Sequence, residues 1–390
     1  TPPPNYQFYY WDASGGVSVT NCFSPSTSAI IGGDGSLSAV FTPFGNTSPP
    51  SSFFHPHTDF WFSRYDMVNA QWDAIHFVNV GSGTATIQVT IGNPPVKTDS
   101  LTLVAGNATY KTYPGVQGGP VHVTSNQPIW VTQRILGWTA MQEIYGMPGN
   151  MPSTDIMFTW YDLVSASSDN IYVINPSTSQ TANVTLYIAG ALRGRINISP
   201  GSVQVMNFPG VTGGPVRIIS NIPMLASQRV IGYNDFAEVI GLPSWYTFTE
   251  TWFNWYDMQY ASWDAIHMLN PGGTTASVQI YVAGTLRASL SLSAGAADYR
   301  TFPGLIGGPV RVLSDQPIWV TQRIIGWGGF KEVFGVPTAL ANTQWHMTWY
   351  DMLGASWDAI HFINPSQTDA TVQIYIGGVL KGTITVGAGK

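Results

Sequence analysis

Ser277-Val278-Gln279-Ile280-Tyr281-Val282-Ala283-Gly284-Thr285-Leu286-Arg287-Ala288-Ser289-Leu290-Ser291-Leu292 reads as two short strands joined by a tight turn. Residues 277–282 alternate polar and apolar with period two, as a strand with one wet face does. Ala283-Gly284-Thr285 is a hairpin signal, and residues 286–292 are the return strand. Upstream, Thr251-Trp252-Phe253-Asn254-Trp255-Tyr256-Asp257-Met258 is aromatic and strand-like, Ala265 to Leu269 follows, and Asn270-Pro271-Gly272-Gly273 makes a turn. Downstream, Asp298 to Phe302, Pro309 to Leu313 and Ile318 to Ile325 complete the set, separated by Pro303-Gly304 and Gly307-Gly308. Only Phe330 to Phe334 and its counterparts read as a helical turn. About seven short strands with no sustained helical period predict an all-β antiparallel sandwich.

The same unit recurs. Tyr-Asp stands at Tyr65-Asp66, Tyr161-Asp162, Tyr256-Asp257 and Tyr350-Asp351, at spacings of 96, 95 and 94 residues. Gly-Gly-Pro-Val begins at Gly118, Gly213 and Gly307, and Gln-Arg at Gln133, Gln228 and Gln322. Registers that agree to one residue mean tandem copies of a small domain. The organisation predicted is an N-terminal arm (1–59), three sandwich repeats (60–152, 153–246 and 247–340) and an incomplete fourth (341–390). Short linkers after Gly146-Met147-Pro148, Gly241-Leu242-Pro243 and Gly335-Val336-Pro337 limit swing between units.

The unit is of the immunoglobulin or fibronectin type in strand number and spacing. It resembles β-sandwich repeats of secreted and surface-anchored bacterial proteins. The residues that carry the resemblance are Asn270-Pro271, Val278 to Tyr281, and Ser314-Asp315-Gln316-Pro317-Ile318 leading to Arg323. It spans residues 60 to 390 and departs at Asn79-Val80, where the first copy lacks the proline. The resemblance implies an extracellular structural or adhesive setting and brings no catalytic site.

Composition narrows the classes. Charged residues make up 9% of the chain, against roughly 25% in typical soluble proteins. Such a surface suits an extracellular chain covered by glycans or by neighbouring subunits. The net charge of -6 is spread without a basic run, which argues against nucleic-acid partners. No apolar stretch reaches the ~20 residues of a membrane helix. Thr1-Pro2-Pro3-Pro4 reads as a mature end after removal of a signal peptide. Cys22 is the sole cysteine, so no intrachain disulfide forms. Sequons stand at Asn46, Asn107, Asn183 and Asn197, a number that a Ser/Thr-rich chain also yields by chance.

Candidate chemistry is sparse. Trp-Asp-Ala-Ile-His recurs at Trp72, Trp263 and Trp357, while the second copy has Ser168-Asp169-Asn170-Ile171-Tyr172. On a strand His267 shares the face of Trp263, and Asp264 takes the other, so an acid–base pair there is awkward. A packed aromatic and a hydrogen-bonded imidazole is the favoured reading; the alternative is sugar stacking on exposed Trp72, Trp263 and Trp357. Asp66, Asp162 and Asp257 recur with Arg134, Arg229 and Arg323 and with Glu143, Glu238 and Glu332, which suggests one structural Arg–carboxylate pair per domain. Calcium is the alternative, without a dense acidic loop to support it. His55-Pro56-His57 with Asp59 reads as a loop at the arm junction. Nucleophile and phosphate-loop motifs are absent, and no cofactor is expected.

The ends do not match the repeat. Lys390 aligns with Ala296, so the fourth copy has no equivalents of Ala297 to Leu340, and residues 1–59 belong to no copy. Either the native chain continues, or the arm of one molecule completes the fourth repeat of the next. In the second case Tyr6, Phe8, Tyr9, Tyr10 and Trp11 would dock, and Val372, Ile374, Ile376, Ile384 and Val386 would receive them. The leading expectation is a non-enzymatic extracellular structural protein whose partners are other copies of itself. The alternatives are an adhesin or carbohydrate-binding repeat protein using glycans or cell-surface components, and the non-catalytic stalk of a larger surface protein.

Overall fold

The computed structural model describes residues 6–19, 28–43, 56–137, 140–326, 329–355 and 358–390, with the backbone alone for 6–16, 18, 19 and 40–43. The protein is nearly all β, a tandem series of antiparallel sandwiches built on the repeat. In the third repeat the longer strands are Phe248–Phe253, Trp263–Leu269, Ala276–Val282, Thr285–Leu292, Ala297–Thr301, Val310–Gly326 and Gly329–Phe334. Of the two-residue strands, Tyr256–Asp257 and Ile306–Gly307 pair with each other, and Val336–Pro337 pairs with Phe248–Phe253.

One strand organises each sandwich. Val121–Gly137, Val216–Gly232 and Val310–Gly326 are each 17 residues long. The first half of Val310–Gly326 lies between Ala276–Val282 and Phe248–Phe253, and the second half between Trp263–Leu269 and Gly329–Phe334. The strand therefore belongs to both sheets and closes the core between them. Its middle, Ser314-Asp315-Gln316-Pro317, is where it changes sheets; proline lacks an N–H and fits such a ladder break. The expected separate strands 309–313 and 318–325 are thus one element. The expected helical turn at Phe330 to Phe334 is also corrected: it is a strand, because its peptide groups pair with the long strand from Gly326↔Gly329 to Thr321↔Phe334. Ala140–Tyr145 and Asp235–Ile240 do the same in the other repeats.

Alternation builds the cores. Ala276, Val278, Ile280 and Val282 are buried between the sheets, and Ser277 and Gln279 face water. The recurring Tyr-Asp staples each core. Tyr256 is fully buried; its hydroxyl donates to the Asp264 carbonyl and accepts from Phe302 N–H, both at 2.7 Å. Tyr65 and Tyr161 repeat the pattern. A further buried cluster spans repeats: Met147 and Ile144 of the first, Phe236, Ile240 and Leu242 of the second, and Trp319 and Leu269 of the third share it.

The arm forms a two-stranded sheet, Tyr6–Val19 against Ala29–Pro43, and pairs with nothing else among the described residues. In the fourth repeat the hairpin Ala370–Ile376 and Val379–Val386 is retained. Residues 358–363 form no strand, although Trp263–Leu269 does with nearly the same sequence.

Candidate functional site

Three arginine–glutamate pairs lie at the joints between repeats. Arg229 and Glu238 face each other across an antiparallel pair, as do Arg323 and Glu332, and Arg134 and Glu143. Arg229 Nε and Arg323 Nε each lie 2.6 Å from Oε2 of their glutamate, and Arg134 Nη2 lies 2.6 Å from Glu143 Oε2. The second carboxylate oxygen takes a hydroxyl from another repeat. Ser63 donates to Glu238 Oε1 at 2.7 Å, Thr159 to Glu332 Oε1 at 3.0 Å, and Thr348 to Glu143 Oε1 at 2.6 Å. A hydroxyl of the accepting repeat, Ser227, Thr321 or Thr132, donates to the same oxygen. Arg323 also donates to the Trp160 carbonyl at 3.1 Å. The first repeat thus sits on the second, the second on the third, and the fourth on the first.

In the docking dipeptides Thr159-Trp160 and Thr348-Trp349, the residue after the donating hydroxyl adds an aromatic contact; the third dipeptide is Ser63-Arg64. Trp160 meets His267 and Tyr299 edge-on at 5.6 and 5.7 Å, and Trp349 meets His76 and Tyr110 at 5.7 and 5.8 Å. Each imidazole stacks on its tyrosine, at 5.1 Å for His267 and 5.2 Å for His76. Trp72 and Trp263 close the other side of these clusters and are half-buried. Trp357 lies outside the described residues. The imidazoles are not hydrogen-bonded as expected: neither ring nitrogen of His76 or His267 has a partner among the described residues. Burial, with Arg134 nearby, pushes His76 down to about 4, and burial and Arg323 hold His267 well below its ordinary value. Both rings are therefore neutral packing groups at pH 7. In the remaining joint both sides change together: Arg64 replaces the tryptophan and Tyr172 the histidine.

Asp66, Asp162 and Asp257 are not the partners of Arg134, Arg229 and Arg323. They cap turns instead: Asp257 Oδ1 accepts the N–H of Gln259 and of Tyr260 at 2.9 and 2.8 Å. Asp66 additionally pairs with Arg64 at 3.2 Å. Its carboxyl is held at about 2; burial pushes it up, but the Asn69 N–H and its other donors outweigh that. Asp73, Asp169 and Asp264, the aspartates of the Trp-Asp-Ala-Ile-His motif and its second-copy counterpart, were weighed in the sequence only as acid–base partners and not as the buried acceptors they are. Each accepts the backbone N–H of the Tyr-Asp aspartate and the side-chain amide of Gln133, Gln228 or Gln322. Burial pushes Asp73 and Asp169 up to about 7, against the pull of these donors and of Arg229 and Arg323 in the following repeat. Ser63, Thr159 and Thr348 were also missed; their signal was the short hydroxyl residue two places before Tyr-Asp.

Val372, Ile374 and Ile376 project from one face of the fourth-repeat hairpin and are only half-buried, as is Val386, and Ile384 is exposed. Their third-repeat counterparts Val278, Ile280 and Val282 are fully enclosed. The side chains of Tyr6, Phe8, Tyr9, Tyr10 and Trp11 lie outside the described residues, as do His55, Cys22 and Asn46. Asn107, Asn183 and Asn197 are exposed. His57 lies edge-on to Phe60, and Asp59 Oδ1 is 3.1 Å from His122 Nε2. No group of three or more metal-ligating side chains occurs among the described residues, and none of their helices is long and apolar enough to cross a membrane.

The fold and joints define a tandem β-sandwich protein whose repeats lock through a hydroxyl–Glu–Arg contact and an aromatic cluster. No protein-family model matches the chain, and no curated protein is similar to it in sequence.

Proposed function

We propose that this chain is a non-enzymatic structural subunit of an extracellular filament, fibre or sheath, in which the N-terminal arm of one molecule completes the fourth repeat of the next. The observation that carries the reading is the open hairpin Ala370–Ile376 and Val379–Val386, whose apolar face is half-covered where the equivalent face of every other repeat is enclosed. Enclosing it takes a strand long enough to serve both sheets, as Val310–Gly326 does in the third repeat. The arm strands Tyr6–Val19 and Ala29–Pro43, of 14 and 15 residues, come within two or three residues of the 17 of that strand. Neither pairs with a third strand among the described residues, and an open sheet edge is a template for another strand. Low surface charge favours close approach of like subunits.

The test is negative-stain electron microscopy of the purified protein with and without residues 1–50. Filaments from the full chain and isolated particles from the truncated one are expected. Filaments that persist after truncation overturn the reading.

A further inference from the structure

We propose that the outer face of the third repeat, around Trp255, is a second seat for the N-terminal hairpin of another copy of this chain. The inference rests on the assembly reading above and gives the arm a contact beyond the fourth repeat.

Three of the four docking dipeptides, Ser63-Arg64, Thr159-Trp160 and Thr348-Trp349, sit in a joint. The remaining one, Asn254-Trp255, does not. Trp255 is 48% exposed, and its ring has no aromatic partner among the described residues. The surface beside it is open too. Val333 and Val336 are 44% and 39% exposed, whereas the equivalent Val239 and Leu242 of the second repeat are 6% and 4% exposed, covered by the third. Ile144 and Met147 of the first repeat are covered in the same way. The third repeat thus presents a face that this protein buries at two equivalent positions. An exposed tryptophan flanked by branched apolar residues is the composition of a docking surface.

The occupant is indicated by what has changed at the open position. Every dipeptide that meets a glutamate begins with Ser or Thr, whose hydroxyl donates to the carboxylate. The open one begins with Asn254, whose amide both donates and accepts, as a partner's peptide groups require. Residues 1–59 contain no Glu, Arg or Lys, so the arm offers peptide edges and no carboxylate–guanidinium ladder. Its strand Ala29–Pro43 is exposed from Ile31 to Ser38.

The experiment is photo-crosslinking in the full chain with Trp255→benzoylphenylalanine, in filaments grown from mixed light and heavy-isotope copies, read by mass spectrometry. A bond from position 255 of one copy to residues 1–50 of the other is expected. Trp255→Ala and Val333→Asp should each reduce the assembled fraction about tenfold, equivalent to ~1.4 kcal/mol, while leaving the unfolding temperature of unassembled protein unchanged. Crosslinks confined to residues 56–390, or unchanged assembly of both variants, overturn the proposal. If filaments still require residues 1–50 in that event, the assembly reading stands and only the second seat falls; filaments without residues 1–50 overturn both.

Discussion

Replacing Arg323 with alanine removes a cation that is 5% exposed from a carboxylate that is 3% exposed. Glu332 then keeps only the hydroxyls of Thr159 and Thr321, each at 3.0 Å, and the Trp160 carbonyl loses its cross-joint donor. Removing one member of a buried, hydrogen-bonded pair costs about 3–5 kcal/mol, because the survivor stays buried and uncompensated. The internal control is Arg217→Ala, whose pair with Asp155 is 49% and 24% exposed and is expected to cost about 0–1 kcal/mol. Arg134→Ala, at 12% and 30%, should fall between them. Urea unfolding followed by tryptophan fluorescence gives the three values. Amide exchange locates the loss, which should appear in residues 310–334 and also in the second repeat near Trp160. A double replacement, Arg323→Met with Glu332→Leu, should recover much of the loss, since no charge remains stranded. An Arg323→Ala cost no larger than that of Arg217→Ala refutes the argument that this ladder is a buried lock.

Other expectations follow from single contacts. Tyr256→Phe leaves the Asp264 carbonyl and Phe302 N–H without their shared partner and should cost about 1–3 kcal/mol by calorimetry; an unchanged melting profile counts against the staple. Ile280→Asp should unfold the third repeat, at about 4 kcal/mol or more, whereas Ile374→Asp should leave the unassembled protein nearly as stable but block assembly. Asp73 is raised to about 7 by burial, so the native state keeps a proton that the unfolded chain releases near pH 4. Its contribution is complete below about pH 4 and is lost as pH rises through 7. Between pH 5 and 8 the wild type should therefore lose more stability than Asp73→Asn; parallel curves in a fluorescence melt contradict the assignment. His76, depressed to about 4, acts in the opposite sense, losing stability as pH falls below 6.5, and is common to both proteins.

Much of the sandwich was legible because strands with one wet face carry a period of two, and Val278 to Val282 shows it without ambiguity. The long strand was harder. Ser314 to Pro317 looks like a boundary, since turns and sheet changes use the same residues. The strand Gly329–Phe334 was misread because six residues are too short for their period to separate a strand from a helical turn. At the joints, the recurrence of Arg and Glu marked a charge pair, but spacing does not say which carboxylate faces which arginine. Register does: Arg323 lies opposite Glu332, nine residues away around a hairpin, while Asp257 is held by its own turn.

The sequence by itself determined the repeat, its period, its all-β character and the faces that turn inward. These are properties of residues a few places apart, and each copy states them again. Tertiary structure alone decided which repeat sits on which, and which segments become strands at all. Trp263-Asp264-Ala265-Ile266-His267 lies in a strand, while residues 358–361, which repeat its last four residues, do not. The chemistry of the two stretches is the same; what differs is that Val310–Gly326 offers the first its peptide groups and has no counterpart among residues 341–390. A strand is completed by its neighbour, and that neighbour is not written in the strand.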